Sequence, residues 1–332
     1  MSDPNIENFQ VPSPPPPQPQ ATRPVKLRPI AIAIFVVGLI LLGAGFAKIL
    51  PGGVGTGGTF AFWGILIFAL SFIRLPQPRG DQEAPMSGAQ KLAGMFYEPT
   101  RVFKNLRAHP YWLAAFLLIG ALNAIYAAAF VQRLTPERIV EHTMEKMADS
   151  PIKPPPDRMD QMKEDALQQA KQPVQRVQTA AKSFVGVFVL GCFIAGLCLL
   201  GVLAFGGRIN FWQAFAATLY GYVPVTVISK LLSLLILYIK APEDIHPVLG
   251  QETLVQDNLG VLFTPADHPA LFVLGSAIGV LSFYGLWLRA KGLANAGDKV
   301  SSSAAWGVSI LLWVLGLILG MIFATLFSSF IS

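Results

Sequence analysis

A lysine inside an apolar stretch is the residue of this sequence with the clearest potential for chemistry. Lys230 lies within the apolar run 211–239, and a cation at the centre of a membrane helix costs roughly 2.5 to 3.5 kcal/mol, so such residues are functional candidates. Asn123, in the run 111–131, is a second polar candidate. Lys230 either reaches water along its flexible stem, helped by a bend at Pro224, or lines a path for a ligand or ion. The sequence leaves both interpretations open.

The segment 98–110 predicts an amphipathic helix bounded by prolines. Its apolar face consists of Val102, Phe103 and Leu106, and its basic face of Arg101, Lys104 and Arg107. Basic residues beside apolar ones suit an anionic membrane surface, to which each Lys or Arg contributes about 1 kcal/mol. We therefore predict a helix that anchors on the membrane surface, with docking of a protein partner by its cations as the alternative.

Small residues spaced by four predict close packing between helices. They are Gly275 and Gly279 in one apolar run, and Gly316, Gly320 and Ala324 in the last one. Such ridges let helix backbones approach closely, within one bundle or between copies of a chain. We therefore expect a protein partner or a homo-oligomer to use these faces.

No set of residues points to catalysis, to a cofactor or to a metal. The sequence has no His-Glu-x-x-His motif, no phosphate-binding Gly-x-x-x-x-Gly-Lys loop and no paired carboxylates inside the apolar runs. His142, and His246 with Asp244, do not stand at the spacing of metal ligands. We predict a protein that is not an enzyme; an enzyme acting on lipid is an alternative for which no catalytic set is found.

The candidate residues above lie in or beside long apolar runs, which must fold into the elements that position them. Of the 332 residues, 53% are hydrophobic and 13% charged, whereas soluble domains carry about 25% charged residues. Seven runs approach the length that crosses about 30 Å of hydrocarbon: 30–50, 59–73, 111–131, 183–205, 211–239, 269–288 and 304–331. The sequence therefore predicts an all-α polytopic transmembrane bundle of about seven spans. The second run is the shortest, and it either crosses, pairs tightly with the first run or is partly re-entrant.

The chain divides into four regions. Residues 1–29 are Pro-rich and predict a disordered tail, and residues 30–75 predict a two-span hairpin with a Gly-rich turn at 51–58. Residues 76–110 form a linker that contains the amphipathic basic helix. Residues 111–332 form a five-span bundle with a helical loop at 132–182.

Basic residues concentrate in alternate loops, which predicts the orientation. With the amino terminus in the cytoplasm, the cytoplasmic loops are net positive and the opposite loops net negative. Seven spans then place the carboxyl terminus outside. The sequence pI near 9.3 therefore reflects membrane orientation, and we expect no nucleic-acid binding.

Two segments resemble the Yip (Ypt-interacting, Rab-associated) membrane proteins. They are FYEPTRVFKNLRAHPYW, which leads into the run 111–131, and GGRINFWQAFAATLYGYVP, which resembles the start of the family's third span. The resemblance covers roughly residues 92–331, and it implies a five-span core to which two amino-terminal spans are added. The Asp-Leu-Tyr-Gly-Pro motif of eukaryotic members is missing, which favours a bacterial inner membrane over a role in Golgi trafficking.

The resemblance implies a non-enzymatic protein that organises membrane or serves as a scaffold for a protein partner, with the lipid bilayer as its surroundings. The alternative is a small transporter or channel built on the span that contains Pro224 and Lys230. A polar cavity that reaches Lys230 would favour the alternative.

Overall fold

Helices form nearly all the regular structure of the chain. The computed structural model describes residues 27–47, 49, 53–73, 84–148, 155–171 and 173–326, so most of the predicted disordered tail lies outside the described residues. Within these ranges there are twelve α-helices and no strand. The helices are α1 (Leu27–Phe46), α2 (Gly53–Leu70), α3 (Gly88–Tyr97), α4 (Pro99–Ala108), α5 (Leu113–Leu134), α6 (Pro136–Ala148), α7 (Pro156–Lys171), α8 (Pro173–Ala204), α9 (Phe211–Ile239), α10 (Pro269–Ala277), α11 (Val280–Ala296) and α12 (Ser302–Leu326).

Six of the described helices are long and apolar enough to cross a membrane: α1, α2, α5, α8 from Ala181, α9 and α12. Large apolar side chains on their outer faces are exposed, among them Ile40 at 65% and Leu200 at 64%. In hydrocarbon a helix satisfies its own backbone hydrogen bonds, so such faces are compatible with lipid. The predicted polytopic all-α membrane bundle is confirmed.

Helices α1 and α2 form a tightly packed hairpin. The predicted turn at 51–58 is wrong for most of its length, because α2 begins at Gly53. A side chain at Gly57 would place its Cβ 2.6 Å from the Cα atom of Leu42 on α1. These glycines therefore serve close helix approach rather than a turn, and they lengthen the second span to 18 residues.

The run 269–288 was predicted as one span but is divided into α10 and α11. At the break, the backbone N–H of Leu259 donates to the carbonyl of Ile278 over 3.1 Å. The carboxylate of Asp257 accepts a hydrogen bond from the N–H of Leu281 over 2.7 Å. These contacts from the loop 240–268 satisfy backbone groups that an unbroken helix would satisfy internally. Irregular backbone inside a membrane protein is stable where protein covers it.

Helix α9 is the centre of the bundle and packs against α5, α8 and α11. It begins with a capping box in which the Asn210 side chain accepts from the N–H of Trp212, while the Gln213 side chain accepts from the N–H of Asn210 over 2.8 Å. Nearly every residue from Trp212 to Pro224 is buried. The amino-terminal half of α9 therefore anchors the elements around it.

The two ends of the bundle differ in what covers them. One end, called the basic end here, carries α3, α4, the start of α9 and the end of α11. The other, called the loop end, carries α6, α7 and the loop 240–268, which is joined to α6 by hydrogen bonds from Arg138 to the carbonyls of Pro242 and Glu243.

Candidate functional site at the basic end of the bundle

Helix α4 lies on the basic end with its apolar face against protein. Val102, Phe103 and Leu106 are fully buried, and α4 packs mainly against α11. Phe103 sits over Gly292, where an added Cβ would come within 3.1 Å of its ring. The predicted burial of this face in the membrane surface is therefore wrong, because α11 takes the place of lipid.

The three predicted cations of α4 have different surroundings. Arg101 pairs with Glu98 one turn earlier, over 3.4 Å, and both side chains are more than half exposed. Lys104 is also exposed. Arg107, in contrast, donates from Nε to the Asp298 carboxylate over 2.6 Å. Arg107 therefore fastens α4 to the bundle, while Arg101 and Lys104 face outward.

Asp298 joins three segments of the chain at this end. Besides accepting from Arg107, it exchanges two backbone hydrogen bonds with Arg208, at 2.9 and 2.6 Å. The side chain of Gln213 donates to the Arg107 carbonyl over 2.7 Å. The loop before α12, the loop before α9 and the end of α4 are thus held together. Nothing in the local sequence marks Asp298 as a site residue, because its partners are distant along the chain.

Helix α3 contributes a fully buried lysine. The Nζ atom of Lys91 donates to the His109 carbonyl over 2.8 Å and lies 5.1 Å from the centre of the Tyr111 ring. Burial lowers the pKa of Lys91 to about 8, because the charged form loses its hydration. Lys91 therefore joins α3 to the segment before α5, although burying its charge is unfavourable.

Asn105 explains how the segment before α3 is held. It is buried on α4, donates to the Ala84 carbonyl over 3.0 Å and accepts from the Met86 N–H over 3.2 Å. The α3–α4 pair is thus a folded cap on the bundle, built from long-range polar contacts and one apolar face.

Residues 93–324 match the model of the Yip1 domain. The chain belongs to the Yip1 family. The match begins inside α3 and ends inside α12, so it includes the cap and omits the α1–α2 hairpin. The family resemblance predicted from the sequence is confirmed. Comparisons with curated proteins and with solved structures found no match.

Lys230 of this Yip1 protein lies toward the loop end, away from the cap. Its ammonium group donates to the Glu252 carbonyl and lies 4.5 Å from the centre of the Tyr126 ring. Asn123 is half-buried on α5, one turn before Tyr126. The loop 240–268 therefore supplies Lys230 with a backbone acceptor, a role that the sequence could not indicate.

The small residues of the last two runs have separate surroundings. Gly275 and Gly279 pack against residues 257–260 of the loop rather than against another α-helix, since a Cβ on Gly275 would lie 2.8 Å from the Gly260 nitrogen. Gly320 faces Val273 of α10, and Ala324 is buried. Among the described residues, Gly316 has no neighbour within 4 Å of an added Cβ. The structure thus does not bring these residues together in one seam.

Two histidines that are far apart in sequence meet at the loop end. The rings of His142, on α6, and His246 have their centres 5.0 Å apart. The Nδ1 atom of His246 accepts from the N–H groups of Val248 and Leu249, both at 3.2 Å. That pattern places the proton of neutral His246 on Nε2, so this ring offers no second lone pair. Burial lowers the pKa of His142, and Lys146 lowers it further.

Proposed function

We propose that this integral membrane protein of the Yip1 family is a non-enzymatic scaffold that holds a protein partner at its basic end. The observation that carries the proposal is the orientation of α4, whose apolar face is buried on α11 while Arg101 and Lys104 point outward. A helix fixed in this way presents cations in a constant geometry. Fixed charges on a rigid element suit recognition of an acidic protein surface.

We further propose that the basic end faces the cytoplasm of a bacterial cell and that the protein resides in the inner membrane. Support comes from the cations gathered there: Arg101, Lys104, Arg107, Arg208, Arg289 and Lys291. Cytoplasmic loops carry an excess of such residues. This orientation puts the amino terminus in the cytoplasm and, with α10 and α11 crossing as one divided span, the carboxyl terminus outside.

Self-association through α12 is part of the same proposal. The open surface at Gly316 lies on a helix whose neighbouring large side chains, such as Leu315 and Leu319, are exposed. A small residue between large apolar ones gives a partner helix a close approach. Crosslinking of copies through a cysteine placed at Gly316 in the membrane tests this contact.

Site-specific crosslinking tests the scaffold role. A photo-reactive residue at position 104 is expected to capture one defined protein in intact membranes. A probe at position 97, in place of Tyr97, is expected to capture the same protein. The double variant Arg101→Ala/Lys104→Ala, tested with the probe at position 97, is expected to abolish that capture. The matched control is Lys163→Ala on α7, a half-exposed lysine at the loop end that pairs with Glu141. Capture that is equal in both variants, or that never yields a fixed partner, contradicts the proposal.

Transport is the second candidate, and the divided α10–α11 helix is the observation that favours it. Transporters often bind substrate where a membrane helix is discontinuous. Against this role, the ammonium group of Lys230 already donates a hydrogen bond to the Glu252 carbonyl. If the purified chain transports a substrate across liposome membranes and the variant Lys230→Met does not, the transporter hypothesis is supported and the scaffold proposal is contradicted.

A further inference from the structure

The loop 240–268 connects α9 with α10 at the loop end of the bundle. Apolar length alone places such a loop outside the membrane. Some of its backbone groups nevertheless contact α9 and α11 at levels well inside the bundle. The Glu252 carbonyl accepts from the Lys230 ammonium group, and the Asp257 carbonyl accepts from the Val280 N–H over 3.4 Å. The middle of the loop, residues 252–263, therefore turns back toward the centre of the bundle and is called the re-entrant segment here.

The cap gives a reference level for the membrane surface at the basic end. An added Cβ on Gly292 of α11 would lie 3.1 Å from the Phe103 ring and 3.5 Å from the Ala217 side chain of α9. These two helix positions are therefore level with α4. Helix α4 exposes Arg101 and Lys104, and exposed cations stay outside hydrocarbon. The hydrocarbon therefore begins near the level of Gly292 and Ala217, or farther into the bundle.

Lengths along two helices give the depth of the re-entrant segment. Roughly three and a half turns, about 20 Å, separate Val280 from Gly292 along α11. About the same length separates Lys230 from Ala217 along α9, which runs in the opposite direction. Because the hydrocarbon of a bilayer is about 30 Å thick, the loop contacts with Val280 and Lys230 lie at least about 10 Å inside its far boundary.

Contacts of α12 show independently that α10 lies farther from the basic end than α11. The ring of Trp313 on α12 has its centre 6.3 Å from that of Phe283 in α11, while Gly320 on α12 faces Val273 in α10. About two turns, or roughly 10 Å, separate Trp313 from Gly320. The chain thus descends from the loop end along α10 and meets α11 at the level of the re-entrant segment.

Apolar side chains are exposed on the re-entrant segment. They belong to a short 3-10 helix, in which Leu259 is 47%, Val261 60% and Leu262 71% exposed. Protein contacts hold its backbone, since the Leu259 N–H donates to the Ile278 carbonyl over 3.1 Å and Gly260 is buried. These side chains therefore meet the surroundings at a depth where the surroundings are hydrocarbon.

Only this apolar turn suits lipid. The polar residues among 251–256 are exposed as well, and their side chains need water. Helix α10, which packs against the turn, exposes Leu271 and Leu274. Helix α10 in turn packs on α12, whose exposed apolar residues include Leu319. The turn thus continues the apolar outer surface of the helices beside it.

We propose that the turn Leu259–Leu262 is a re-entrant lipid-binding surface whose partner is the acyl chains of the leaflet at the loop end. Burial of these side chains in lipid stabilises the loop through the hydrophobic effect. It also holds the loop against the division between α10 and α11. The surface lies at the opposite end of the bundle from Arg101 and Lys104, so it does not depend on the scaffold function.

Fluorescence quenching in vesicles of phosphatidylcholine and phosphatidylglycerol tests the proposal. The full chain, with Cys192 and Cys198 replaced by alanine, carries one new cysteine labelled with bimane. Leu262→Cys is expected to be quenched by lipids that carry a nitroxide on the acyl chain. The reference in water is Asp267→Cys, in the exposed polar stretch before α10. Iodide on both sides of the membrane is expected to quench Leu262→Cys at least about tenfold less than Asp267→Cys, because hydrocarbon excludes anions.

A matched control gives the response of a position that faces lipid. Leu190 is 57% exposed on the membrane-spanning part of α8, so Leu190→Cys should respond to both quenchers as Leu262→Cys does. Val261→Cys repeats the test if Leu262→Cys does not fold. Equal quenching of Leu262→Cys and Asp267→Cys by iodide would place the turn in water. Weak quenching by both agents would show that protein, such as a second copy of the chain, covers the turn. Either result would overturn the proposal.

Discussion

Replacement of the buried Lys91 by methionine should change how the stability of the protein depends on pH. Lys91 is fully buried, and burial lowers its pKa from the usual 10.5 to about 8. Each pKa unit corresponds to about 1.4 kcal/mol. At pH 7, where Lys91 is charged in both the folded and unfolded chain, the charge therefore costs the fold about 3 kcal/mol.

The direction of the pH effect follows from the protons bound in each state. Between pH 8 and 10.5 the unfolded chain keeps the Lys91 proton while the folded chain releases it, so the free energy of unfolding rises with pH in this window. Methionine has no such proton. It also loses the hydrogen bond to the His109 carbonyl, worth about 1 kcal/mol. Lys91→Met should therefore be more stable than the parent by about 2 kcal/mol at pH 7 and no more stable at pH 10.

Denaturation of the purified protein in mixed micelles, followed by tryptophan fluorescence at pH 7, 8, 9 and 10, measures this difference. Lys104→Met is the control, because Lys104 is an exposed lysine on the neighbouring helix and its replacement corrects for effects of pH on the micelle. If Lys91→Met and Lys104→Met have the same dependence on pH between 8 and 10, the burial argument is refuted.

Three further predictions concern other contacts. Asp298→Asn removes the carboxylate that accepts from Arg107, and it should speed hydrogen exchange of the α4 amides by an amount equivalent to about 1 kcal/mol; unchanged exchange would show that the apolar face alone holds the helix. Because the pKa of His142 is lowered, the stability of the loop end should be full above pH 6.5 and should fall as the pH drops below that value. Proteolysis of α6 should then become faster, and His142→Phe should lose less stability at low pH. Gly275→Ala places a Cβ 2.8 Å from backbone and should destabilise the protein. Gly316→Ala meets no neighbour within 4 Å in the part of the chain that the structure describes and should not; equal denaturation midpoints would contradict the packing of the loop against α10.

Local sequence patterns were sufficient for the elements that depend on local physics. Apolar length predicted the six helices that are long enough to span a membrane, because a membrane helix satisfies its backbone within the same segment. The spacing of Val102, Phe103 and Leu106 correctly predicted one apolar face on α4. The same spacing could not predict what covers that face, since lipid and the side of α11 are both apolar.

Contacts between distant residues required the tertiary structure. The division of the run 269–288 depends on Asp257 and its neighbours, which hydropathy cannot connect with α11. The meeting of His142 with His246 likewise depends on how α6 and the loop 240–268 fold together.

The sequence by itself determined that this chain is a helical membrane protein, because the length and composition of a segment fix whether it enters lipid as a helix. Its motifs resemble the Yip family, and the match of residues 93–324 to the Yip1 domain shows that the chain belongs to it. The tertiary structure decided which charged side chains have a hydrogen-bond or ion-pair partner. Arg107 is taken by Asp298 and Lys230 by the Glu252 carbonyl, while Arg289 has no acid beside it among the described residues. The physical reason is that the fate of a charge depends on its neighbours in space, which the chain brings together from more than a hundred residues away in the case of Arg107.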